Sequence, residues 1–587
     1  MIKITLWVSL LLSVGFAKFS DQENTILNAM AIETKRAFEN YKTPSGVNPR
    51  QIRVLLWEHY LDEKSYKDGL NYKSNKDTSY HLELSFVSSD QSGLQNLRFQ
   101  GLGVSNPSSP LYISLPNNPD SLLIRQTLWT LLDGRFRQSV DEVNTKRAWL
   151  DQNPGYFKGP EEIKLPSRSQ WEQRIPKAKL DSTKCELWAK KLTSTYAELD
   201  TKISSNVIKA KTTHLDNSAT CRSIGAKTYI IEINNENSSL RGKPQTATRK
   251  GIVEIQEYSL LAAASWQTSL GTILTSSLKR SQVDAKLDYA SIQPELDKEE
   301  KRVLTLLNSP KNLKDNNSYR GPVVFKNEAG GHLWSSLLNK PLESADASNL
   351  LTAEPHFLIS LLGQVWLNPL YSVEIDSERK SWNNIPLYGY SPYDFLGRKS
   401  TNGTWVKAGR MQGLPCATSP LMGDTNCVFS GHLRYSTTFP STLRIHSSEA
   451  KSPKKFSSAV QKYCELEGNG YYLEVESFPD PEALSLLDWF DTPPQSESFY
   501  DRTVLQLPKP DRVYKVSCDG KLKTPLQNIL FAPLSPDTWR RMRESSKEEY
   551  LTQPRAARSI IHPKEVLIEF MDLKPDSSPS KGLKVLK

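Results

Sequence analysis

Two side chains that could carry out chemistry lie in segment 321–334, whose sequence is Gly-Pro-Val-Val-Phe-Lys-Asn-Glu-Ala-Gly-Gly-His-Leu-Trp. Its apolar first half predicts a short strand, and the remainder predicts a helix that Asn327 is suited to cap. Glu328 and His332 are four residues apart, so on a helix they share one face. A carboxylate and an imidazole in this arrangement can bind a metal ion or activate water. An ordinary helical pair has the same spacing, so the pattern alone leaves both interpretations open.

Other catalytic signatures are missing from the sequence, which has no GxSxG elbow, P-loop, GxGxxG, HExxH or CxxC motif. His356 precedes an apolar stretch and is predicted to lie in a loop or in the core. His432 and His446 lie in strand-like segments and are the weaker alternatives as metal ligands. Five aromatic residues could line a peptide groove or pack as core and edge residues: Trp366, Tyr371, Trp382, Tyr388 and Tyr390.

The first half of the chain predicts helices that alternate with strands. Ser20 and Glu23 have the spacing of a capping box, and the apolar positions behind them predict a helix that runs to Tyr41. Segment 152–180, rich in proline and lysine, is predicted to be a connector. Apolar periodicity predicts further helices at 120–151, 183–203 and 296–307, and strands at 53–57, 82–86, 228–233 and 251–257.

The second half is richer in strand and turn signals. Asp519-Gly520 separates segments 513–518 and 521–526, which predicts a hairpin. Alternation across 566–570 predicts a closing strand. The polar segment 308–320 is the candidate boundary, so the residues predict an α+β chain of two parts.

The first 17 residues have the features of an export signal. Lys3 supplies the positive start, an apolar stretch follows at 4–14, and Gly15 and Ala17 are small residues before a cleavage point. We therefore expect a soluble periplasmic or secreted protein with no transmembrane span after signal removal. An uncleaved N-terminal anchor is the alternative.

The six cysteines all follow this leader, as expected of a protein in an oxidising compartment. Six cysteines permit 15 pairings. We predict sequential pairing, with the loop between Cys416 and Cys427 as the best single candidate. The remaining cysteines are Cys185, Cys221, Cys464 and Cys518.

A formal charge of +10 over 587 residues does not by itself predict a nucleic-acid partner. The cations are interleaved with acids, as at 298–302 (Lys-Glu-Glu-Lys-Arg), and no run of like charge forms a basic arm. We therefore predict a solvated surface that does not bind nucleic acid.

The strand–helix segment resembles the TldD/PmbA (TldE) metallopeptidase family, in which a strand beginning Gly-Pro-Val leads into a helix with the metal motif HExxxH. In this correspondence Asn327 stands at the first histidine position, Glu328 at the glutamate and His332 at the second histidine. Four further segments between residues 24 and 573 are similar to family elements in the same order: 28–41, 123–149, 513–520 and 559–573.

This resemblance implies an α+β fold with an N-terminal helix–strand domain at 18–310 and a mostly antiparallel, barrel-like C-terminal domain at 311–587. It also implies zinc held by two histidines and a downstream cysteine, with the glutamate activating water. Active members of the family pair with a silent partner chain around a chamber that admits unfolded peptides.

The sequence departs from the family pattern at the metal. An amide oxygen at Asn327 is a weak donor to a transition metal, and residues 519–587 contain no cysteine. Cys518 is the nearest cysteine, at the predicted hairpin turn. We therefore expect a damaged site in which Glu328 is the candidate base and His332 the candidate ligand, with zinc bound only if the site still functions.

The resulting hypothesis is an exported peptidase homologue, intact or inactive, that acts on unfolded or extended peptides and forms an oligomer with another TldD/PmbA-type chain. The alternatives are a noncatalytic peptide-binding or assembly subunit, and an envelope structural protein.

Overall fold

The fold is described from a computed structural model. Within the described residues, no helix has both the length and the apolar character that crossing a bilayer would need. The structure describes residues 19–68, 70–89, 111–152, 169–174, 182–205, 212–236, 245–268, 273–281, 289–308, 318–342, 363–393, 399–400, 402–415, 427–428, 432–434, 437–439, 441–478, 507–526, 529–534, 537–553 and 559–575.

The first helix begins where the capping-box spacing predicts. The Ser20 hydroxyl accepts a hydrogen bond from the Glu23 N–H (3.3 Å), and the Glu23 carboxylate accepts one from the Ser20 N–H (2.8 Å). Both bonds satisfy donors that the first helical turn leaves unpaired. The helix, α1, spans Asp21–Asn40.

Long antiparallel strands and three further helices follow α1. Sheet order is β3-β2-β1-β5-β6-β4, with β7 also paired to β6. The elements are β1 (Asn48–Lys67), β2 (Leu70–Ser89), β3 (Leu111–Leu115), α2 (Ser121–Gln152), β4 (Gln170–Arg174), α3 (Ser182–Ser205), β5 (Thr212–Glu236), β6 (Gln245–Thr268), β7 (Ile273–Ser281) and α4 (Tyr289–Asn308).

Two apolar clusters lie along this sheet. Helices α1 and α2 pack on side chains such as Val54, Leu82 and Ile231. Helices α3 and α4 pack on a second cluster that includes Tyr66 and Cys221. The predicted helices therefore form, and each covers a stretch of the same sheet.

The C-terminal part is built from short strands around α5. Its elements are β8 (Tyr319–Lys326), α5 (Glu328–Leu342), β9 (Tyr371–Ile375), β10 (Ser381–Trp382), β11 (Ile385–Pro386), β12 (Gly403–Lys407), β13 (Arg410–Met411), β14 (Leu414–Pro415), β15 (Cys427–Val428), β16 (His432–Arg434), β17 (Thr437–Phe439), β18 (Thr442–Ser447), α6 (Pro453–Glu467), β19 (Tyr471–Ser477), β20 (Arg512–Ser517), β21 (Lys523–Leu526), β22 (Ile529–Phe531), α7 (Asp537–Arg540), β23 (Met542–Ser545), β24 (Glu549–Thr552), β25 (Ser559–Pro563) and β26 (Glu565–Pro575).

Two main sheets organise these strands, one in the order β21-β20-β19-β8-β26-β22 with β23 also on β26, the other in the order β13-β12-β9-β18-β25-β24. Within them only β8/β19 and β18/β25 pair in parallel among the described strands. The apolar core combines both sheets with Leu333, Trp334 and Leu337 of α5. The α+β fold with a mostly antiparallel C-terminal part is confirmed.

Several local predictions for this part are confirmed. Strands β20 and β21 form the predicted hairpin, whose Gly520 has a φ of 73°. Strand β26 is the predicted closing strand and pairs with β8. Trp366, Tyr371 and Tyr388 are buried core residues rather than groove residues.

Two of the three sequential disulfides are present. Cys185 and Cys221 link α3 to β5, and Cys464 and Cys518 link α6 to the end of β20. Cys416 of the proposed Cys416–Cys427 pair lies outside the described residues, as does His356, so this pairing stays a prediction. The division of the chain at residue 310 stays a prediction.

Candidate functional site

The turn between β8 and α5 follows a central strand of its sheet, because β8 pairs with both β19 and β26. Asn327 forms the turn with a φ of 49°, in the left-handed region that asparagine tolerates. Its N–H donates to the Lys564 carbonyl (2.7 Å), and its carbonyl accepts from the Gly330 N–H (3.1 Å). Asn327 therefore precedes the helix as predicted, but without the extended backbone of a usual N-cap residue.

Glu328 and His332 lie on one face of α5, as their spacing predicts. The His332 Nε2 and Glu328 Oε1 atoms are 3.7 Å apart, and the side chains are 16% and 39% exposed, respectively. The His332 and Phe478 rings also form an edge-to-face contact, with centroids 6.0 Å apart. The pair is thus a partly buried imidazole beside a more open carboxylate.

A second imidazole, which the sequence analysis did not single out, lies against the start of α5. His562 of β25 is fully buried, with Nδ1 2.8 Å from the Pro563 carbonyl oxygen and Nε2 2.9 Å from the Thr552 hydroxyl. A carbonyl only accepts hydrogen bonds, so Nδ1 carries the proton and Nε2 accepts from Thr552. Burial lowers the pKa of His562 to about 4, against the opposing effect of the Pro563 bond and with a further lowering by His332.

The glycine pair at 330–331 allows α5 to approach β24 and β25 closely. A Cβ at Gly331 would lie 2.1 Å from the Thr552 hydroxyl, and a Cβ at Gly330 would lie 3.1 Å from Cε1 of His562. The first distance is far inside van der Waals contact. Gly331 is therefore required by packing against Thr552.

Local sequence gave little reason to select His562. It follows Ile560 and Ile561 in an apolar strand, which is the usual setting of a satisfied core histidine. Its contact with Thr552 depends on the register of β24 and β25, in which Tyr550 pairs with His562. The other candidates stay elsewhere: His446 pairs with Glu374 (3.0 Å) and His432 lies on β16.

The donor set does not fit the zinc site that the family resemblance implies. The sulfur of Cys518 is bonded to Cys464 and so is not a thiolate. Across the described residues, no group of three or more His, Cys, Asp or Glu side chains is placed to hold a metal ion. A catalytic zinc takes three protein donors, and of the three ligand positions that the resemblance implies, only the one at His332 carries its donor.

A cavity of about 650 Å³ opens at the end of the sheet that contains His562. Tyr550 lies between the cavity and His562. It lines the cavity, and its ring centroid is 5.9 Å from that of His562. Strand β24 is the last strand of its sheet among the described residues. The lining residues are Trp382, Asn383, Arg444, Lys547, Glu548, Glu549, Tyr550 and Lys564.

No protein-family profile matches the chain, and no curated protein matches it. Several solved structures do match the chain. One, from Thermotoga maritima, is described as a candidate modulator of a DNA gyrase; it is 12% identical, with a TM-score of 0.51 over 94% of this chain and 99% of that one. Another candidate modulator of DNA gyrase, from Bacteroides thetaiotaomicron, is 12% identical, with a TM-score of 0.57 over 95% and 100%.

TldE from Thermococcus kodakarensis is also found, at 9% identity and a TM-score of 0.47 over 94% of this chain and 100% of that one. Identities this low establish the fold and not the activity, and the first two structures suffice for the fold. Over nearly its whole length, the chain shares the fold of these two solved structures.

Proposed function

We propose that this protein is an exported, noncatalytic member of the TldD/PmbA family that binds extended peptides. The observation that carries the proposal is the donor set around α5, where His332 has neither a second imidazole ligand nor a thiolate among the described residues. The peptidase hypothesis requires a bound metal, whereas a noncatalytic peptide-binding subunit does not.

Recruiting the missing donors from nearby side chains is unfavourable. Both ring nitrogens of His562 are hydrogen-bonded in the core, and leaving a buried partner unsatisfied costs about 1–3 kcal/mol. Glu328 would have to serve as a ligand and so would no longer be the base. These costs disfavour metal-dependent hydrolysis.

Strand β24 supports the peptide-binding part of the proposal. The outer backbone groups of a terminal strand can pair with an extended peptide, and nearby pockets then select its side chains. The cavity lined by Trp382 and Tyr550 lies directly at this strand.

The two described disulfides and the leader sequence support export, because disulfides persist in oxidising compartments. Exposed apolar residues on α1 and α2 support assembly with another chain of this family: Ile32, Leu122 and Trp129 are 50%, 58% and 55% exposed. The mass of the mature N-terminus tests export, and light scattering after gel filtration tests assembly.

The decisive experiment uses the purified mature protein incubated with zinc and then desalted. We expect less than stoichiometric metal, no chelator-sensitive cleavage of casein, and saturable binding of a labelled extended peptide measured by fluorescence anisotropy. A matched His332→Ala variant should show the same metal content as the wild type.

Stoichiometric zinc that is lost together with casein cleavage in His332→Ala would overturn the noncatalytic proposal and favour the peptidase hypothesis. A protein that binds neither metal nor peptide would instead favour the envelope structural protein.

A further inference from the structure

The cavity at β24 contains one more cation than its carboxylates neutralise. Arg444 pairs with Glu549 (2.9 Å), and Lys564 pairs with Glu548 (2.8 Å). Lys547 is the third cation of the lining, and no ion pair of its ammonium group is found among the described residues. Three cations and two carboxylates leave a net charge of +1 on the lining.

Hydrogen bonds hold the backbone that carries Lys547. The Lys547 N–H donates to the Lys451 carbonyl (2.7 Å), and the Ser546 N–H donates to the Glu565 carbonyl (2.9 Å). The unneutralised ammonium group is therefore attached to a fixed backbone position in the turn that precedes the terminal strand β24.

A tight hairpin supplies an aromatic wall of the same cavity. Asn383 and Asn384 connect β10 to β11 with φ values of 47° and 63°. Two consecutive positive φ values are those of a type I′ turn, which matches the twist of a two-residue hairpin. Trp382, partly exposed, is thereby fixed in the lining, together with Tyr550 of β24.

We infer that this cavity binds a carboxylate-bearing residue of an extended peptide, with Lys547 pairing with the carboxylate and Trp382 and Tyr550 packing against the adjacent chain. The inference rests on the proposed peptide-binding function and specifies which peptides the site selects. The carboxylate can come from an acidic side chain or from a free C-terminus.

The balance of charges favours a single negative charge over the alternatives. A monoanion matches the net charge of the lining, whereas a phosphate dianion would exceed it and lie close to Glu548 and Glu549. A cationic group would be repelled by Lys547. Both carboxylates of the lining, Glu548 and Glu549, already pair with Lys564 and Arg444.

Three labelled peptides of one extended sequence test the inference by anisotropy. The first has an internal Glu and an amidated C-terminus, the second an internal Gln and a free C-terminus, and the third an internal Gln and an amidated C-terminus. We expect the first or the second to bind about two- to fivefold tighter than the third, as for a partly exposed ion pair. The preferred peptide identifies the source of the carboxylate.

The Lys547→Gln variant should remove this preference and leave binding of the third peptide unchanged. The matched control is Lys521→Gln, which alters an exposed lysine of the β20–β21 turn that pairs with Asp519, and it should keep the preference. Higher salt should reduce the preference in the wild type and in the control.

Equal binding of all three peptides by the wild type, or a preference that survives Lys547→Gln, overturns the carboxylate site and leaves the peptide-binding function standing. Failure of the wild type to bind any of the three overturns the peptide-binding function itself.

Discussion

At position 327, the backbone conformation and the side-chain chemistry can be considered separately. A φ of 49° is open to histidine as well as to asparagine, so the turn between β8 and α5 does not require an amide. Asparagine in place of the histidine that the family resemblance implies therefore changes the donor chemistry without requiring a different turn. The spacing of Glu328 and His332 predicted their shared face on α5. The sequence did not predict the buried contact of His562 with Thr552, because that contact depends on strand register.

Placing an imidazole at position 327 with Asn327→His should increase zinc affinity on the order of tenfold, about 1.4 kcal/mol for one added donor. Binding should still yield to a mild chelator and produce no casein cleavage, because no thiolate lies beside α5 among the described residues. Competition with a zinc-binding dye measures the affinity.

The control for this variant is Asn384→His, which places an imidazole at an exposed turn residue that also has a positive φ. Tight, stoichiometric zinc with peptidase activity in Asn327→His alone would show that two histidines suffice, contrary to our interpretation of the site.

At the scale of elements, the sequence located strands but underestimated their length. The predicted strands at 53–57 and 228–233 are parts of β1 and β5, which span 20 and 25 residues. Their outer parts are polar, and pairing with neighbouring strands holds them, as in the Ser65–Thr220 side-chain hydrogen bond (3.0 Å). The predicted connector at 152–180 likewise contains β4, which pairs in parallel with β6. The residue pattern within one strand does not show which strand it will pair with, or over what length.

The packing of α5 on β24 predicts an asymmetric response to alanine in the glycine pair. Gly331→Ala should lower the free energy of unfolding by about 1–3 kcal/mol, because its methyl group would overlap the Thr552 side chain. Gly330→Ala is the matched control and should cost less, since its nearest contact is a less severe 3.1 Å. Denaturant titration measures both, and an equal effect of the two substitutions would contradict the predicted packing.

At the scale of the whole molecule, ion pairs and a disulfide connect distant elements. Lys298 of α4 and Lys523 of β21 both pair with the buried carboxylate of Glu476 on β19. The sequence showed charges interleaved around residue 298 and predicted a solvated surface there. The partner of Lys298 is 178 residues away, so this contact could not be predicted from local pattern.

We expect the ion-paired carboxylate of Glu476 to make the stability of the fold sensitive to acid. Burial opposes ionisation, but Lys523 and Lys298 lower the pKa of Glu476 from 4.5 to about 2. A carboxyl whose pKa is lower in the folded state contributes stability above pH 4.5, and this contribution is lost as pH falls from 4.5 to 2.

Glu476→Gln should therefore reduce the free energy of unfolding at pH 7 by about 1–3 kcal/mol, allowing for solvent screening of the partly exposed lysines. It should also flatten the pH dependence between 4.5 and 2, measured by denaturant titration. Glu39→Gln, which removes an exposed pair with Lys35, is the control and should change little. A variant as acid-sensitive as the wild type would rule out this carboxylate as the cause.

The Cys464–Cys518 disulfide links α6 to the end of β20. Breaking it tests whether Cys518 has a structural role or can bind a metal. Cys464→Ser leaves Cys518 as a free thiol and should lower the free energy of unfolding by about 2–5 kcal/mol, mainly because the unfolded chain regains freedom. Cys185→Ser breaks a shorter loop, of 36 residues rather than 54, so loop-closure entropy predicts effects within about 0.4 kcal/mol of each other. Neither variant should gain zinc, since no described side chains complete a metal site. Zinc gained only by Cys464→Ser, and lost again in Cys464→Ser/His332→Ala, would instead make the disulfide a redox lock on the site beside α5.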